Sequence, residues 1–166
     1  MAKKKNKSNL GKILNVVVMV LGIVAICMIF VATIKVPDTV VAGKVISEGK
    51  AYTGLQVAFG YKTEDIAVFN FSIKALLPYL LITAGVVFSV LSAKAKKGNK
   101  GLDLVSACLF VVAGVLCFLM PNLIVFADTI VGKGASLIEY EITTGAIVSA
   151  ILSIGSGVLS VFKAVK

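Results

Sequence analysis

Apolar residues along the chain are gathered into four long runs, which polar segments separate. The runs occupy residues 13–34, 75–93, 104–126 and 145–162, and none contains an ionisable acid or base. Each is close to or above the length of about 20 residues that a helix needs to cross the hydrocarbon core of a membrane. With flanking residues added, the pattern predicts transmembrane helices at 13–34, 73–93, 102–126 and 144–162.

A different pattern, in which polar and apolar residues alternate, fills much of the segment 35–72. The β-rich runs "DTVVAGKVI" (38–46) and "AYTGLQVAF" (51–59) flank the link "SEGK" (47–50), which predicts an antiparallel hairpin. An isolated hairpin is only marginally stable in water, so we expect it to rest on helix ends or further strands. Two more β-rich runs are candidates for those strands: "IAVFNFS" (66–72) and "SLIEYEI" (136–142).

Composition supports a membrane protein. The chain has 166 residues, 58% of them hydrophobic, and its mean hydropathy is +1.02. A soluble domain of this size has too much surface to bury so large an apolar fraction. The predicted fold class is therefore an all-α membrane protein, a bundle of four transmembrane helices capped by a small extracellular β-hairpin or sheet.

The distribution of lysine predicts the orientation, because lysines near span ends are retained on the cytoplasmic side. Eleven lysines and one acid lie in the segments 1–12, 94–101 and 163–166 together with the start of the third helix. Six lysines and seven acids lie in 35–72, at the start of the second helix and in 127–143. Both termini are predicted to be cytoplasmic, in the plasma membrane. A cleaved secretory signal is the alternative for the first run, but a signal has an apolar region of about 7–15 residues, which favours an uncleaved anchor.

The net charge of +9 does not indicate a nucleic-acid partner, because the lysines form short clusters beside the predicted spans and are not interleaved with aromatic residues. All 17 basic residues are lysine, and lysine lacks the planar fork with which arginine grips phosphate. Anionic membrane lipids are the expected partners of these clusters.

The predicted topology resembles that of claudin-like tetraspan proteins, which have four helices, both ends inside, a large first outer loop built from strands and a short second one. The claudin signature in that loop contains a Gly-Leu step, which "TGLQ" (53–56) matches, and tryptophans and cysteines that are absent from the loop here. The composition, rich in lysine and without tryptophan, also resembles that of small membrane proteins from AT-rich bacteria.

Residues suited to catalysis are scarce. There is no histidine, no span serine has a lysine or acid partner, and the glycine-containing segments match neither a P-loop nor a dinucleotide fingerprint. Asp128, Glu139 and Glu141 are a possible calcium set, although paired acids in loops are more often simply solvated. Cys27 and Cys117 are a possible disulfide, with small packing residues as the alternative. The sequence predicts no enzyme, no cofactor and no metal site.

Two sets of residues are candidates for contacts. Small residues recur every four positions along the fourth span and predict a helix-packing ridge of Gly145, Ser149, Ser153 and Gly157. The expected contact surface of the first outer loop consists of Tyr52, Leu55, Phe59 and Tyr61. The tyrosines of the chain also suit a belt at the membrane interface, with an aromatic binding patch as the alternative.

The predicted function is that of an interaction or accessory protein, whose outer loop recognises a partner protein or an envelope component. A membrane protein or a second copy of the chain is the expected partner. The alternative is a small channel or transporter subunit that is active as an oligomer, with Thr83, Ser89, Ser106 or the serines of the fourth span lining water.

Overall fold

The computed structural model describes residues 2–41, 44–47, 49–63, 66–95 and 99–165. The helices of this part are α1 Ala2–Cys27, α2 Gly54–Phe59, α3 Ile73–Lys94, α4 Lys100–Phe118, α5 Ile130–Ala135 and α6 Thr144–Val165. The strands are β1 Ala32–Lys35, β2 Thr39–Val41, β3 Lys44–Ser47, β4 Ala51–Thr53, β5 Tyr61–Thr63, β6 Ile66–Phe69 and β7 Glu141–Ile142. Helices α1, α3, α4 and α6 are long and apolar enough to cross a membrane, which confirms the prediction of four such helices.

The chain forms two compact units. The helical unit comprises Met1–Ile26, Pro78–Val115 and Ser149–Lys166. The sheet unit comprises Cys27–Leu77 and Leu116–Val148.

The helical unit is built around small side chains. Ala25, Ala107, Ala113 and Ala150 are buried together with a few larger residues such as Phe110. Side chains that carry only a methyl group let helix backbones approach closely, as they do in helix pairs within membranes. The large aliphatic side chains lie on the exposed surface instead, among them Ile13, Val16, Val20, Ile23, Leu104, Val112 and Ile151.

Serine hydroxyls link the helices of this unit. Ser106 Oγ, on α4, donates a hydrogen bond to the Gly85 carbonyl of α3 (2.8 Å). Ser149 Oγ, on α6, donates to the Ala25 carbonyl of α1 (3.0 Å). Both serines are buried, so these bonds satisfy hydroxyl groups that would otherwise be costly to remove from water.

The sheet unit contains a three-stranded antiparallel sheet in the order β4-β1-β7. Ile34, in the central strand, lies opposite Tyr52 on one side and Ile142 on the other. Two further antiparallel pairs are formed by β2 with β3 and by β5 with β6. The expectation of a small antiparallel sheet is confirmed. The run 136–142 contributes β7 to it, whereas the run 66–72 contributes β6, which pairs with β5 separately.

The predicted pairing of 38–46 with 51–59 is wrong. Within 38–46, β2 pairs with β3, whereas β4 pairs with β1. Residues 54–59 are helical because Thr53 caps α2: its Oγ1 accepts a hydrogen bond from the Gln56 N–H, and Gln56 Oε1 accepts one from the Thr53 N–H. Residues 42–43 of the predicted strand, 48 of its link and 96–98 of the predicted basic segment lie outside the described residues.

Two helices end earlier than the apolar runs suggest. Helix α1 ends at Cys27, and a 3₁₀ turn, Met28–Phe30, follows it before β1 begins. Helix α4 ends at Phe118, and Pro121 lies in the 3₁₀ turn Met120–Leu123 that follows. Proline has no N–H to donate to a continuing helix and disfavours helical geometry in the residue before it. Hydropathy alone does not detect these ends, because the strands and turns that follow are apolar too.

Candidate functional site

Aromatic side chains from several strands and loops of the sheet unit meet in an aromatic cluster of Tyr52, Tyr61, Phe69, Phe126 and Tyr140. The Tyr52 and Phe69 rings are 4.9 Å apart between centroids in an edge-to-face arrangement, and Phe69 lies 5.8 Å from Phe126 and 6.1 Å from Tyr140. The backbone ties this core together, because the Asn70 N–H donates to the Val125 carbonyl (2.9 Å) and the Ala127 N–H to the Val68 carbonyl (3.0 Å). Edge-to-face pairs of this kind stabilise a core beyond the apolar area that they bury.

Lys50 lies at the rim of the aromatic cluster. Its Nζ donates a hydrogen bond to Tyr61 Oη (2.7 Å). The same Nζ lies 4.7 Å from the centroid of the Tyr61 ring and 5.8 Å from the centroid of the Tyr52 ring. The hydrogen bond from Lys50 lowers the pKa of Tyr61, and the same bond raises the pKa of Lys50. Burial raises the pKa of Tyr52 and raises that of Tyr140 to about 12. At neutral pH Tyr52 and Tyr140 are therefore uncharged, and Lys50 places a cation at the edge of the cluster.

The predicted contact surface of the first loop is divided between interior and exterior. Tyr52 is only 7% exposed and belongs to the aromatic cluster. Leu55 and Tyr61 are half-buried, and Phe59 is exposed. The four residues therefore do not form one exposed face, and the alternation that suggested such a face is interrupted by the start of α2 after Thr53.

Large exposed aliphatic residues surround α5, in the segment 127–143. These residues are Ile130, Val131, Leu137 and Ile138, which we call the apolar patch; Ile130 is 93% exposed and Leu137 is 87% exposed. The opposite side of the helix is made of small residues, since Gly132 and Ala135 are buried. Sequence reasoning missed this patch because it took 136–142 as a strand. The available signal was a pair of large aliphatic residues on each side of the glycine-rich sequence "GKGAS" (132–136).

The α5 segment is held firmly on the sheet unit. Thr129 Oγ1 accepts a hydrogen bond from the Gly132 N–H (3.0 Å) and donates one to the Ala67 carbonyl of β6 (2.6 Å). The threonine thus caps α5 and fastens it to a neighbouring strand. The apolar patch is consequently presented by ordered structure.

Charged groups of both signs border the apolar patch. Lys133 Nζ and Asp128 Oδ1 form an exposed ion pair (2.8 Å), and Glu139 is also exposed. Of the possible calcium set, Asp128 is thus engaged by Lys133. Within the residues that the structure describes, no three His, Cys, Asp or Glu side chains are grouped as metal ligands. The three cysteines, all in described segments, form no disulfide.

The residues of the predicted packing ridge on α6 are all buried. In the sheet unit, a Cβ added at Gly145 would lie 2.5 Å from the Ala32 carbonyl oxygen. In the helical unit, Ser149 bonds to Ala25, Ser153 is fully buried, and a Cβ at Gly157 would lie 2.8 Å from Val111 Cγ2. Gly145, Ser149 and Gly157 thus each have a close neighbour within the same chain, and the chain itself buries Ser153.

The helical unit also contains a polar cluster of Asn15, Ser89, Ser92, Asp103 and Lys163. Lys163 Nζ donates hydrogen bonds to Asn15 Oδ1 (2.6 Å) and Ser92 Oγ (3.4 Å) and pairs with Asp103 Oδ1 (2.8 Å). Ser89 Oγ also donates to Asn15 Oδ1 (3.0 Å). Lys163 therefore joins α6 to α1, α3 and α4 through one ammonium group.

The sequence interpretation missed the polar cluster because it counted Asp103 and Lys163 only in the charge balance that predicts the orientation. Their side chains are only 5% and 12% exposed, respectively. The signal in the sequence was that Asp103 is the single acid among the predicted inner segments, against eleven lysines. Asn15, which interrupts the first apolar run, was a second indication.

A comparison of the chain with protein-family models and with curated protein sequences gives no match. No family assignment, claudin-like proteins included, has support from these comparisons.

Proposed function

We propose that the protein is an integral membrane protein that crosses the plasma membrane four times, with both termini in the cytoplasm and the segments 35–72 and 127–143 outside. The arrangement of side chains in the helical unit supports this proposal. Serines and alanines fill the interior, while isoleucines, valines and leucines cover the exterior. So much aliphatic surface is a liability in water, whereas lipid solvates it. The lysine distribution described above supports the orientation.

Within that membrane, the protein acts as an interaction or accessory protein whose outer surface recognises a partner protein. The apolar patch on and after α5 is the observation that carries this proposal. Ile130 and Leu137 are almost entirely exposed although Thr129 anchors the segment firmly. An ordered apolar surface of this kind is typical of a binding site.

The surroundings of the apolar patch favour a protein over lipid as its occupant. Asp128, Lys133 and Glu139 supply charges of both signs around an aliphatic centre. Protein interfaces commonly combine an apolar centre with a polar rim. On a protein partner, charges fixed at complementary positions can pair with such a rim and set the register of binding.

Site-specific photocrosslinking in the native membrane tests this function. A photoreactive phenylalanine analogue at Leu137 should give one discrete adduct with a partner, and the additional substitution Ile130→Asp should abolish that adduct. The same analogue at Lys62, an exposed position on β5, is the matched control and should give none. Identical products from positions 137 and 62, or no product from 137, would show that the apolar patch is not a recognition surface.

The alternative, a channel or transporter subunit, would need polar residues on a face that an oligomer can enclose. Ser89, Ser106 and the serines of α6 are buried within the chain itself. Thr83 is exposed, but its Oγ1 donates to the Tyr79 carbonyl of its own helix (2.8 Å). The placement of these residues therefore favours the interaction protein over a pore built from them.

A further inference from the structure

Three phenylalanines of the sheet unit, Phe30, Phe59 and Phe71, are exposed and form what we call the phenylalanine edge. Their exposed fractions are 69%, 55% and 55%. The Phe59 and Phe71 rings are neighbours, with centroids 6.1 Å apart. None of them belongs to the apolar patch, and the function proposed above does not use them.

The backbone places the phenylalanine edge where two of the long helices end. Phe30 closes the 3₁₀ turn that follows α1, and α2 packs against that turn. Phe59 is the last residue of α2, and the Ser72 N–H donates a hydrogen bond to the adjacent Ala58 carbonyl (2.8 Å). This bond fixes the end of α2 beside the residues that lead into α3.

A tight turn holds Phe59 in that position. Gly60 follows it with a φ of +96°, which L side chains rarely adopt. A Cβ at Gly60 would also lie 2.9 Å from the Phe69 carbonyl oxygen. The chain can therefore reverse directly after Phe59 and pass into β5.

Helix α3 begins two residues after Phe71, and its first turns carry exposed residues. Ile73 and Leu77, in the first two turns of that helix, are exposed aliphatic residues. Lys74, between them, is also exposed. Phenylalanine is one of the apolar residues with which an interfacial helix enters the boundary between headgroups and acyl chains, and a lysine there extends its ammonium group towards lipid phosphates.

We infer that the phenylalanine edge is a lipid-binding surface, which holds α2 in the boundary between the headgroups and acyl chains of the outer leaflet. The inference rests on the proposed membrane insertion, and it assigns the outer surface two different occupants. Lipid covers Phe30, Phe59 and Phe71, the last of which lies three residues before the exposed Lys74. A protein covers the apolar patch, whose rim carries both charges.

Fluorescence provides a direct test because the chain contains no tryptophan. Single-tryptophan variants Phe59→Trp and Phe71→Trp of the full chain are placed in bilayers whose acyl chains carry bromine, which quenches tryptophan on contact. Ile23→Trp, at an exposed position of α1, reports on membrane insertion. Leu137→Trp reports on the apolar patch.

We expect Phe59→Trp and Phe71→Trp to lose a large part of their emission in brominated bilayers, as Ile23→Trp does, and Leu137→Trp to lose little. Quenching at Ile23→Trp without quenching at positions 59 and 71 would overturn the lipid-binding surface and leave membrane insertion intact. No quenching at Ile23→Trp would overturn membrane insertion itself, and the lipid-binding surface with it. Quenching at position 137 as strong as at 59 would contradict the division of the outer surface between lipid and protein.

Discussion

Lys163 and Asp103 are the residues whose burial has the largest energetic consequence. Both charges are largely removed from solvent, which carries a desolvation cost. The attraction between Lys163 Nζ and Asp103 Oδ1 at 2.8 Å compensates for part of that cost. Asn15 and Ser92 accept the remaining hydrogen bonds of the ammonium group, so none of these polar groups depends on water. The ion pair therefore stabilises the contact between α4 and α6 as long as both partners are present.

Removal of one partner should therefore be much more harmful than removal of both. We expect Asp103→Ala to reduce the free energy of unfolding by about 3 kcal/mol, because it leaves a buried ammonium group without its counter-charge. The double variant Asp103→Leu with Lys163→Met should regain more than half of that loss, because it leaves no buried charge. Thermal or denaturant unfolding in one detergent measures both effects.

Lys94→Met is the matched control, since Lys94 also lies at the end of a long helix but is exposed. It should change stability by less than about 1 kcal/mol. A loss for Lys94→Met as large as for Asp103→Ala would show that the polar cluster has no special role in joining the helices.

Among the elements, α4 and α6 show most clearly how small residues bring helices together. A Cβ at Gly157 would lie 3.1 Å from the Ala107 carbonyl oxygen, and one at Gly114 would lie 3.0 Å from the Ala150 carbonyl oxygen. The pairing of 107 with 157 and of 114 with 150 shows that the two helices run antiparallel. Without a hydrophobic driving force between helices in lipid, contact at this distance is an important source of attraction.

The two glycines Gly155 and Gly157 offer a matched pair on the same helix. Gly157→Ala should lower stability by about 1–3 kcal/mol, because the new methyl group overpacks a closed contact. Gly155→Ala should be neutral or raise stability by up to about 1 kcal/mol, since no atom lies within 4 Å of the added Cβ and alanine favours helix.

Unfolding of both variants in the same detergent tests the contact between α4 and α6. Equal stability of the two variants would mean that α6 does not pack against α4 through Gly157. A gain in stability for Gly157→Ala would lead to the same conclusion.

The elements also show which parts of the fold the sequence could predict. The long helices were predictable because a run of apolar residues has few alternatives at that length. The strand pairing of the first loop was not, because β1 and β7, which complete the sheet, come from segments far apart in the sequence. The helix α2 could have been recognised, since Thr53 and Gln56 have the spacing of a capping box.

On the scale of the whole molecule, the exposed apolar residues lie in other segments than the sequence pattern predicted. The predicted contact surface of the first loop contains Tyr52, which folding buries in the aromatic cluster. The apolar patch, in contrast, lies in the segment 127–143. Its large residues are exposed because Gly132 and Ala135 are the buried residues of α5. A sequence pattern shows which residues are apolar, but their exposure depends on how the short helix packs.

Both the proposed recognition of a partner and the inferred lipid-binding surface depend on one claim: that the four long helices cross the membrane with the segments 35–72 and 127–143 outside. Reactivity of single cysteines towards an impermeant maleimide in intact cells measures this most directly. The background variant has Cys27, Cys108 and Cys117 replaced by alanine. Single cysteines are then introduced at three exposed lysines: Lys50, Lys133 and Lys100.

We expect Lys50→Cys and Lys133→Cys to react in intact cells, because their segments lie outside in the proposed topology. Lys100→Cys should react only after the membrane is made permeable, because the lysine-rich connection before α4 is retained in the cytoplasm. Reaction of Lys100→Cys in intact cells, with protection of Lys50→Cys and Lys133→Cys, would contradict the proposed orientation. Equal reaction at all three positions before permeabilisation would contradict the four-span topology itself.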